Sequence, residues 1–153
     1  MNLTTQVQER LQLAEQVCKE TNVRLTEKRR QVLTLLMITD KAISAYDLIE
    51  LFKIHFSEVL LPMTAYRALE FLEESQLAHR LNTANKYVAC SHIGCTSSHK
   101  LPHFLICEQC LRVDELNSQN DHNLGDLTDK AEQTGYQLSS PQIELNGICN
   151  KCL

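Results

Sequence analysis

The sequence predicts an α+β protein, in which an N-terminal winged helix-turn-helix with an extra leading helix precedes a small C-terminal α/β module. Two patterns predict this organisation. Apolar residues recur at helical spacing in four successive segments of the first half. Two short strand-like runs, joined by a polar turn, follow the last of these segments. A winged helix has three helices and then a hairpin, so the first of the four helices is additional.

The four helices are predicted from their starting residues. Threonine or serine is available as the N-cap of the first three, and Pro62 suits the first turn of the fourth. The predicted spans are residues 4–22, residues 26–40, a third helix opening at Ser44, and residues 63–74.

The helical spacing also predicts which side chains are buried. Cys18 lies on the apolar stripe of the first helix, where a thiol behaves as a small hydrophobe. The third helix is expected to bury Leu48, Leu51, Phe52 and Ile54.

Strand character follows the fourth helix and returns in the second half. Residues 77–81 and 86–90 are predicted to form a hairpin, and the next segment loses periodicity. Beyond it, strands are predicted at 103–106, 111–116 and 136–148, with a helix at 121–134. We therefore predict a winged-helix domain at 1–90, a hinge and metal-binding loop at 91–103, and a second domain at 104–153.

Charge gives mixed information about nucleic-acid binding. The chain has 153 residues and a formal net charge of −4, which counts mildly against a DNA-binding function. The charge is uneven, however, because residues 24–30 carry four cations and one anion. A basic patch of this kind on an acidic body is able to hold phosphates.

Composition also predicts the compartment. The sequence has no window of about 18 apolar residues, and the polar segment 1–9 lacks the apolar core of a signal peptide. We therefore expect a cytoplasmic protein without membrane contact. Thiols stay reduced in that compartment, so the seven cysteines point to metal or redox chemistry rather than to disulfides.

Two C-x-x-C motifs predict a structural zinc site. Cys107 and Cys110 form the first motif, Cys149 and Cys152 form the second, and 38 residues separate them. A two-residue spacer lets a tight turn direct two sulfurs at one point, and zinc prefers four tetrahedral thiolates. A closed shell of this kind indicates a structural rather than a catalytic site, and it would supply folding free energy to a module with little core.

A second cluster of metal-binding residue types lies between the two halves. A single thiolate combined with imidazoles and a carboxylate suits zinc, because sulfur disfavours manganese. Which members of the cluster bind stays open at this point. The cluster consists of His79, Cys90, His92, Cys95, His99, His103 and Glu115.

Several motifs together resemble the ferric uptake regulator family over nearly the whole chain. Residues 62–69 resemble its recognition-helix signature, and Arg24-Leu-Thr26 with Arg30, as well as Phe104–Cys110, also fit. Three further segments are similar to the zinc uptake regulator branch of the family. They are residues 22–26, 42–48 and 87–90.

The resemblance implies a homodimer with a C-terminal dimerisation module, and about two zinc ions per chain. One zinc would be structural, bound by the four cysteines of the paired motifs. The other would be regulatory, bound by His79, Cys90, His99 and Glu115. The histidine run before the first motif departs from the family pattern, so His103 is an alternative to His99.

The resemblance further implies a zinc-loaded repressor of zinc-uptake genes that reads a palindromic operator. Arg67 is expected to pair with a guanine, because arginine binds that base in bidentate fashion. Other residues are expected to contact bases or phosphates. They are Tyr66, Tyr46, Thr64, Arg24, Lys28, Arg29, Arg30 and Lys86.

Three alternative functions are weighed against this interpretation. A sibling regulator sensing iron, manganese or peroxide is disfavoured by the thiol of Cys90. An enzyme is disfavoured because the sequence contains neither H-E-x-x-H nor H-x-E paired with P-C-x-x-C. The third alternative is a thiol redox sensor, because oxidation of the paired cysteines would eject zinc, but partial redox sensitivity of this kind does not require redox sensing to be the function.

Overall fold

The computed structural model describes residues 4–39, 41–95, 101–116, 122–139 and 141–153. The chain divides into two compact units, Met1–Gly94 and Cys95–Leu153. Among the described residues, no helix is long and apolar enough to cross a bilayer. The elements are α1 (Thr5–Glu20), α2 (Glu27–Ile38), α3 (Ala45–Phe56), α4 (Pro62–Glu74), β1 (Ala78–Leu81), β2 (Lys86–Ala89), β3 (His103–Cys107), β4 (Val113–Leu116), α5 (His122–Gln133) and β5 (Ile143–Gly147).

The core of the first unit forms where α1–α4 pack together. Helix α1 buries Val7, Leu11, Ala14 and Cys18, which recur at helical spacing along one face. Cys18 is only 1% exposed, as predicted, and burial raises the pKa of its thiol. Each large apolar side chain buried in this way stabilises the fold by about 1.5–3 kcal/mol.

Helix α3 begins with a reciprocal capping box. The amide of Asp47 donates to Ser44 Oγ at 3.1 Å, and the amide of Ser44 donates to Asp47 Oδ2 at 2.9 Å. These two bonds satisfy backbone N–H groups that have no partner inside the helix. The amide and hydroxyl of Ser44 also lower the pKa of Asp47 from its ordinary value of 3.8.

One prediction for α3 is wrong. Ile54 is 72% exposed, whereas Leu48 and Phe52 are fully buried and Leu51 is half-buried. Ile54 follows Leu48 by six residues, which places it about 240° around the helix axis. That rotation directs its side chain away from the core.

The hairpin completes the winged helix that the sequence predicts. Strands β1 and β2 are antiparallel, with Ala78 opposite Ala89. The turn contains Asn85 at φ 49°, and Arg80 donates two hydrogen bonds to Asn85 Oδ1 at 2.7 and 3.1 Å. A further bridge of two backbone hydrogen bonds joins Tyr87 to Ile43, so the hairpin is tied to the segment before α3.

The second unit contains a mixed sheet and one helix, which fits the predicted α/β module. The strand order is β4-β3-β5, with β3 antiparallel to β4 and parallel to β5. Phe104 and Ile106 on the central strand are buried. A parallel neighbour requires a crossover connection, and α5 lies within it.

Two predicted strands in this unit are too long. The last strand covers Ile143–Gly147 rather than 136–148, because Gly135 ends α5 at φ 91° and Pro141 has no N–H to donate. Strand β4 begins at Val113 rather than at residue 111, because Leu111 has a left-handed φ of 61°. Neither difference changes the order of the elements.

The capping box of α3 yields a stability prediction. Replacing Ser44 with Ala removes the acceptor for the Asp47 amide, and we expect the free energy of unfolding to fall by about 1 kcal/mol. Urea unfolding of the zinc-containing protein measures this change. Lys53→Ala on the exposed side of α3 is the control, and an equal loss in both variants would contradict the assignment.

The same contact predicts a pH dependence. Because folding lowers the pKa of Asp47, its stabilising contribution is present above the ordinary value of 3.8 and is lost as pH falls through the lowered value. Asp47→Asn should therefore flatten the acid limb of the stability curve. An unchanged acid limb in this variant would count against the capping contribution.

Candidate metal centres and nucleic-acid interface

The four cysteines of the two C-x-x-C motifs converge on one point. The sulfurs of Cys107, Cys110, Cys149 and Cys152 all lie within 4.8 Å of one another, and those of Cys110 and Cys149 are 3.8 Å apart. Four sulfurs at about 2.3 Å from a tetrahedral zinc are separated by about 3.8 Å. The cluster therefore fits a four-thiolate zinc site that leaves no open coordination position.

Parallel pairing of β3 with β5 brings the two motifs together. Cys107 ends β3 opposite Gly147 at the end of β5, so both chains leave the sheet at the same edge. The amide of Glu108 donates to the Gly147 carbonyl at 2.9 Å, which joins the first turn to the second strand. Cys149 follows two residues later and begins the second turn.

The surroundings of the four cysteines shift the pKa values of two of their thiols in opposite directions. Backbone N–H groups of Cys110 and Cys149 are directed at Cys107 and lower its pKa to about 6. The neighbouring sulfurs of Cys149, Cys110 and Cys107 raise the pKa of Cys152 to about 12. One thiol therefore ionises readily, whereas a full set of thiolates requires a compensating positive charge.

Two predicted regulatory ligands meet on the wing hairpin. A ring nitrogen of His79 on β1 and Sγ of Cys90, just after β2, lie within 4.8 Å of each other. Cys90 is fully buried, and its amide donates to the Leu77 carbonyl at 3.0 Å, which extends the hairpin pairing by one residue. The amide of His92 donates to Cys90 Sγ at 3.3 Å.

The other predicted regulatory ligands belong to the second unit. Glu115 lies half-buried on β4, and His103, the first residue of β3, is 3% exposed. In the part of the chain that the structure describes, Nε2 of His103 has no hydrogen-bond partner. A buried nitrogen in that condition costs about 1–3 kcal/mol, and a metal ion would satisfy it. His99 lies outside the described residues, and Cys95 is exposed.

The outer face of α4 carries the predicted base-reading residues. Arg67 and Tyr66 are exposed, and Thr64 is half-buried in the first turn. Met63 and Glu70 share this exposed face and were not among the predicted DNA contacts. They lie three and four positions from Tyr66 and Arg67, which is the spacing of neighbours on one face of a helix.

A groove in the first unit joins α4 to the start of α2. It brings predicted contacts from the two helices together, so the basic segment and the exposed face of α4 form one surface. The groove is lined by Thr26, Lys28, Arg29, Thr64, Arg67 and Ala68.

Three cations of the basic segment are held by contacts within the protein. Lys28 pairs with Glu58, and Arg30 pairs with Glu15. The Arg29 guanidinium lies 3.6 Å from the centre of the Phe71 ring. These contacts orient the cations, and the carboxylates also reduce the positive charge of the patch.

The remaining predicted DNA contacts are distributed over the surface of the first unit. Tyr46, in the first turn of α3, is 73% exposed. Lys86 begins β2, and its charge contributes to the lowered pKa of Asp47. Arg24 is exposed, and its carbonyl accepts a hydrogen bond from Arg29 at 2.8 Å.

Comparison with known proteins identifies the family. Residues 20–146 match the ferric uptake regulator family. The chain is 37% identical over 149 residues to the zinc uptake regulation protein of Escherichia coli (strain K12), covering 97% of this chain and 84% of that protein. A solved zinc uptake regulator in complex with zinc and DNA is 35% identical, with a TM-score of 0.85 and coverage of 97% and 96% of the two chains. The holo crystal structure of XcZur is 32% identical, with a TM-score of 0.79 and coverage of 93% and 95%. The chain therefore belongs to the ferric uptake regulator family.

Proposed function

We propose that this protein is a zinc-responsive transcriptional repressor, which binds palindromic operator DNA as a homodimer when loaded with zinc and controls zinc-uptake genes. The observation that carries the proposal is the approach of His79 to the buried thiol of Cys90 on the hairpin that follows α4. Similarity to a relative named for zinc uptake regulation, and to a regulator solved with zinc and DNA, supports it.

The four-cysteine cluster is proposed to hold a structural zinc. A bound zinc would be held by the four cysteine sulfurs and would cross-link the turns that follow β3 and β5. The chain's own contribution is the parallel strand pairing and the N–H groups directed at Cys107. With four sulfurs in the shell there is no position for a substrate or a water, so we assign no catalytic role to this site.

His79 and Cys90 are proposed as two ligands of a regulatory zinc. We propose on donor chemistry that Glu115, with His103 or His99, completes the set. The buried Nε2 of His103 favours that histidine of the two. Because these ligands belong to separate units of the chain, zinc occupancy is proposed to govern which arrangements of the units are available for DNA binding.

Zinc is favoured as the signal over manganese by the donor atoms, and over iron by the similarity to a relative named for zinc uptake regulation. Cys90 contributes a soft thiolate, and sulfur ligands disfavour manganese and other metals that prefer oxygen. His79 contributes an imidazole, which zinc accepts readily. A regulator of the same family that senses iron, manganese or peroxide is therefore the less favoured alternative.

DNA reading is proposed to depend on the exposed face of α4. Arg67 is suited to a guanine, and Tyr66 to base edges or thymine methyl groups. The groove beside Arg67 supplies Lys28 and Arg29 for the phosphates. A two-fold symmetric dimer would place two such helices on the half-sites of a palindrome.

The structural zinc is tested by Cys149→Ser. We expect loss of the tightly held zinc and unfolding of the second unit, because structural zinc contributes about 10–16 kcal/mol in small zinc domains. Elemental analysis after mild chelation and hydrogen exchange of β3 and β5 measure the two effects. Cys95→Ser, which replaces an exposed thiol, is the control. A folded second unit in zinc-free Cys149→Ser would contradict the assignment.

The regulatory zinc is tested by Cys90→Ser. We expect the free zinc needed for half-maximal operator binding to rise about tenfold or more, because a thiolate ligand is lost. Fluorescence anisotropy measures this with a duplex that the zinc-loaded protein has selected from a random library. Cys18→Ala removes a buried thiol without changing this ligand set and serves as the control. An unaltered zinc dependence would remove Cys90 from the mechanism.

Base reading is tested by Arg67→Ala. We expect the preference for the selected duplex over a scrambled one to fall by about 1–3 kcal/mol, with the fold intact. Binding to both duplexes at several salt concentrations separates base reading from phosphate contact. Lys19→Ala removes an exposed cation from α1 as a control. If Arg67→Ala keeps the full preference, the residue does not read a base.

A further inference from the structure

A side chain of α1 contacts the backbone of a proposed regulatory ligand. Nη2 of Arg10 donates to the carbonyl of Cys90 at 2.8 Å, in a partly buried hydrogen bond that joins positions 80 residues apart. A guanidinium donor makes this bond charge-assisted, and such bonds are about twice as strong as neutral ones. The contact lies within the first unit and links its leading helix to the end of the wing hairpin.

Three hydrogen bonds involve the backbone and the sulfur of Cys90. Its carbonyl accepts from Arg10, its amide donates to the Leu77 carbonyl, and its sulfur accepts from the amide of His92. The latter two bonds come from the residue before β1 and from the turn after β2. Of these three hydrogen bonds, the one from Arg10 spans the largest separation in the sequence, 80 residues.

Helix α1, which carries Arg10, is fixed in the first unit by buried apolar residues and an ion pair. Val7, three residues before Arg10, and Leu11, which follows it in the sequence, are buried in the core of the first unit. Glu15, five residues beyond Arg10, pairs with Arg30 at the start of α2. The Cys90 contact and the Arg30 contact are therefore about 7.5 Å apart along a single helix.

We propose that Arg10 is a positioning residue for the regulatory zinc ligand Cys90. It fixes the carbonyl of Cys90 and thereby the direction of the thiol beside His79. This inference rests on the proposed function, because it requires Cys90 to bind the regulatory zinc. Groups that orient metal ligands typically contribute 10- to 100-fold to metal affinity, so a substantial share of zinc affinity is assigned to a helix that supplies no ligand.

Zinc affinity of the exchangeable site tests the proposal. The purified full chain, retaining its tightly held zinc, is titrated with zinc against a competing chelator. Cobalt(II) replaces zinc in a parallel titration, where the thiolate-to-cobalt absorption band reports the Cys90 sulfur. We expect Arg10→Ala to bind zinc about tenfold more weakly and to weaken the cobalt band.

Two further variants separate positioning from general stability. Arg10→Lys keeps a cationic donor and is expected to recover most of the affinity, whereas Lys19→Ala on the same helix should bind zinc as the parent does. Operator binding should need about tenfold more zinc in Arg10→Ala and reach the parent affinity at saturation. A purely structural contact would lower the unfolding temperature and leave the zinc titration unchanged, and that result would overturn the proposal.

Cys90→Ser distinguishes failure of this inference from failure of the proposed function. If Cys90→Ser loses exchangeable zinc and Arg10→Ala does not, the positioning role is overturned and the regulatory site stands. If Cys90→Ser binds zinc as the parent does, Cys90 is not a ligand, and both proposals fall together. Weaker zinc binding in both variants, with rescue by Arg10→Lys, supports the two proposals.

Discussion

The second unit is proposed to depend on the mutual approach of four sulfurs at one edge of its three-stranded sheet. Hydrogen bonds with the sulfurs of Cys149 and Cys110 raise the pKa of Cys152 to about 12, whereas backbone N–H groups of Cys110 and Cys149 lower that of Cys107 to about 6. A divalent cation would stabilise all four thiolates together and would cross-link the two turns. Pairing of β3 with β5 brings the two motifs together, and the sulfurs of Cys110 and Cys149 lie 3.8 Å apart, the separation expected around a tetrahedral zinc.

The first unit has a different source of stability and a different task. Its four helices and hairpin share an apolar core, so the exposed face of α4 is presented on a rigid support. The same core positions α1, which carries Arg10 to the Cys90 carbonyl and Glu15 to Arg30. Helix α1 is thus joined both to the proposed ligand Cys90 and to the basic segment.

Much of the fold was predictable from local patterns. The capping box at Ser44, the proline start of α4 and the turn between β1 and β2 all follow from short-range chemistry, and the structure has each of them. Ile54 differs from the prediction because its position around the helix axis directs it outward, although its residue type is apolar. The last strand is shorter than predicted, because Gly135 and Pro141 interrupt the segment that precedes it.

The sequence alone determined the donor atoms: two C-x-x-C motifs, and a second cluster of cysteines, histidines and a glutamate, predict zinc, because ligand chemistry is a property of residue type and short spacing. Only the tertiary structure decided that β3 and β5 are parallel neighbours, and that Arg10 reaches the Cys90 carbonyl. Contacts between positions 40 to 80 residues apart arise from packing of complete elements, which no local pattern records.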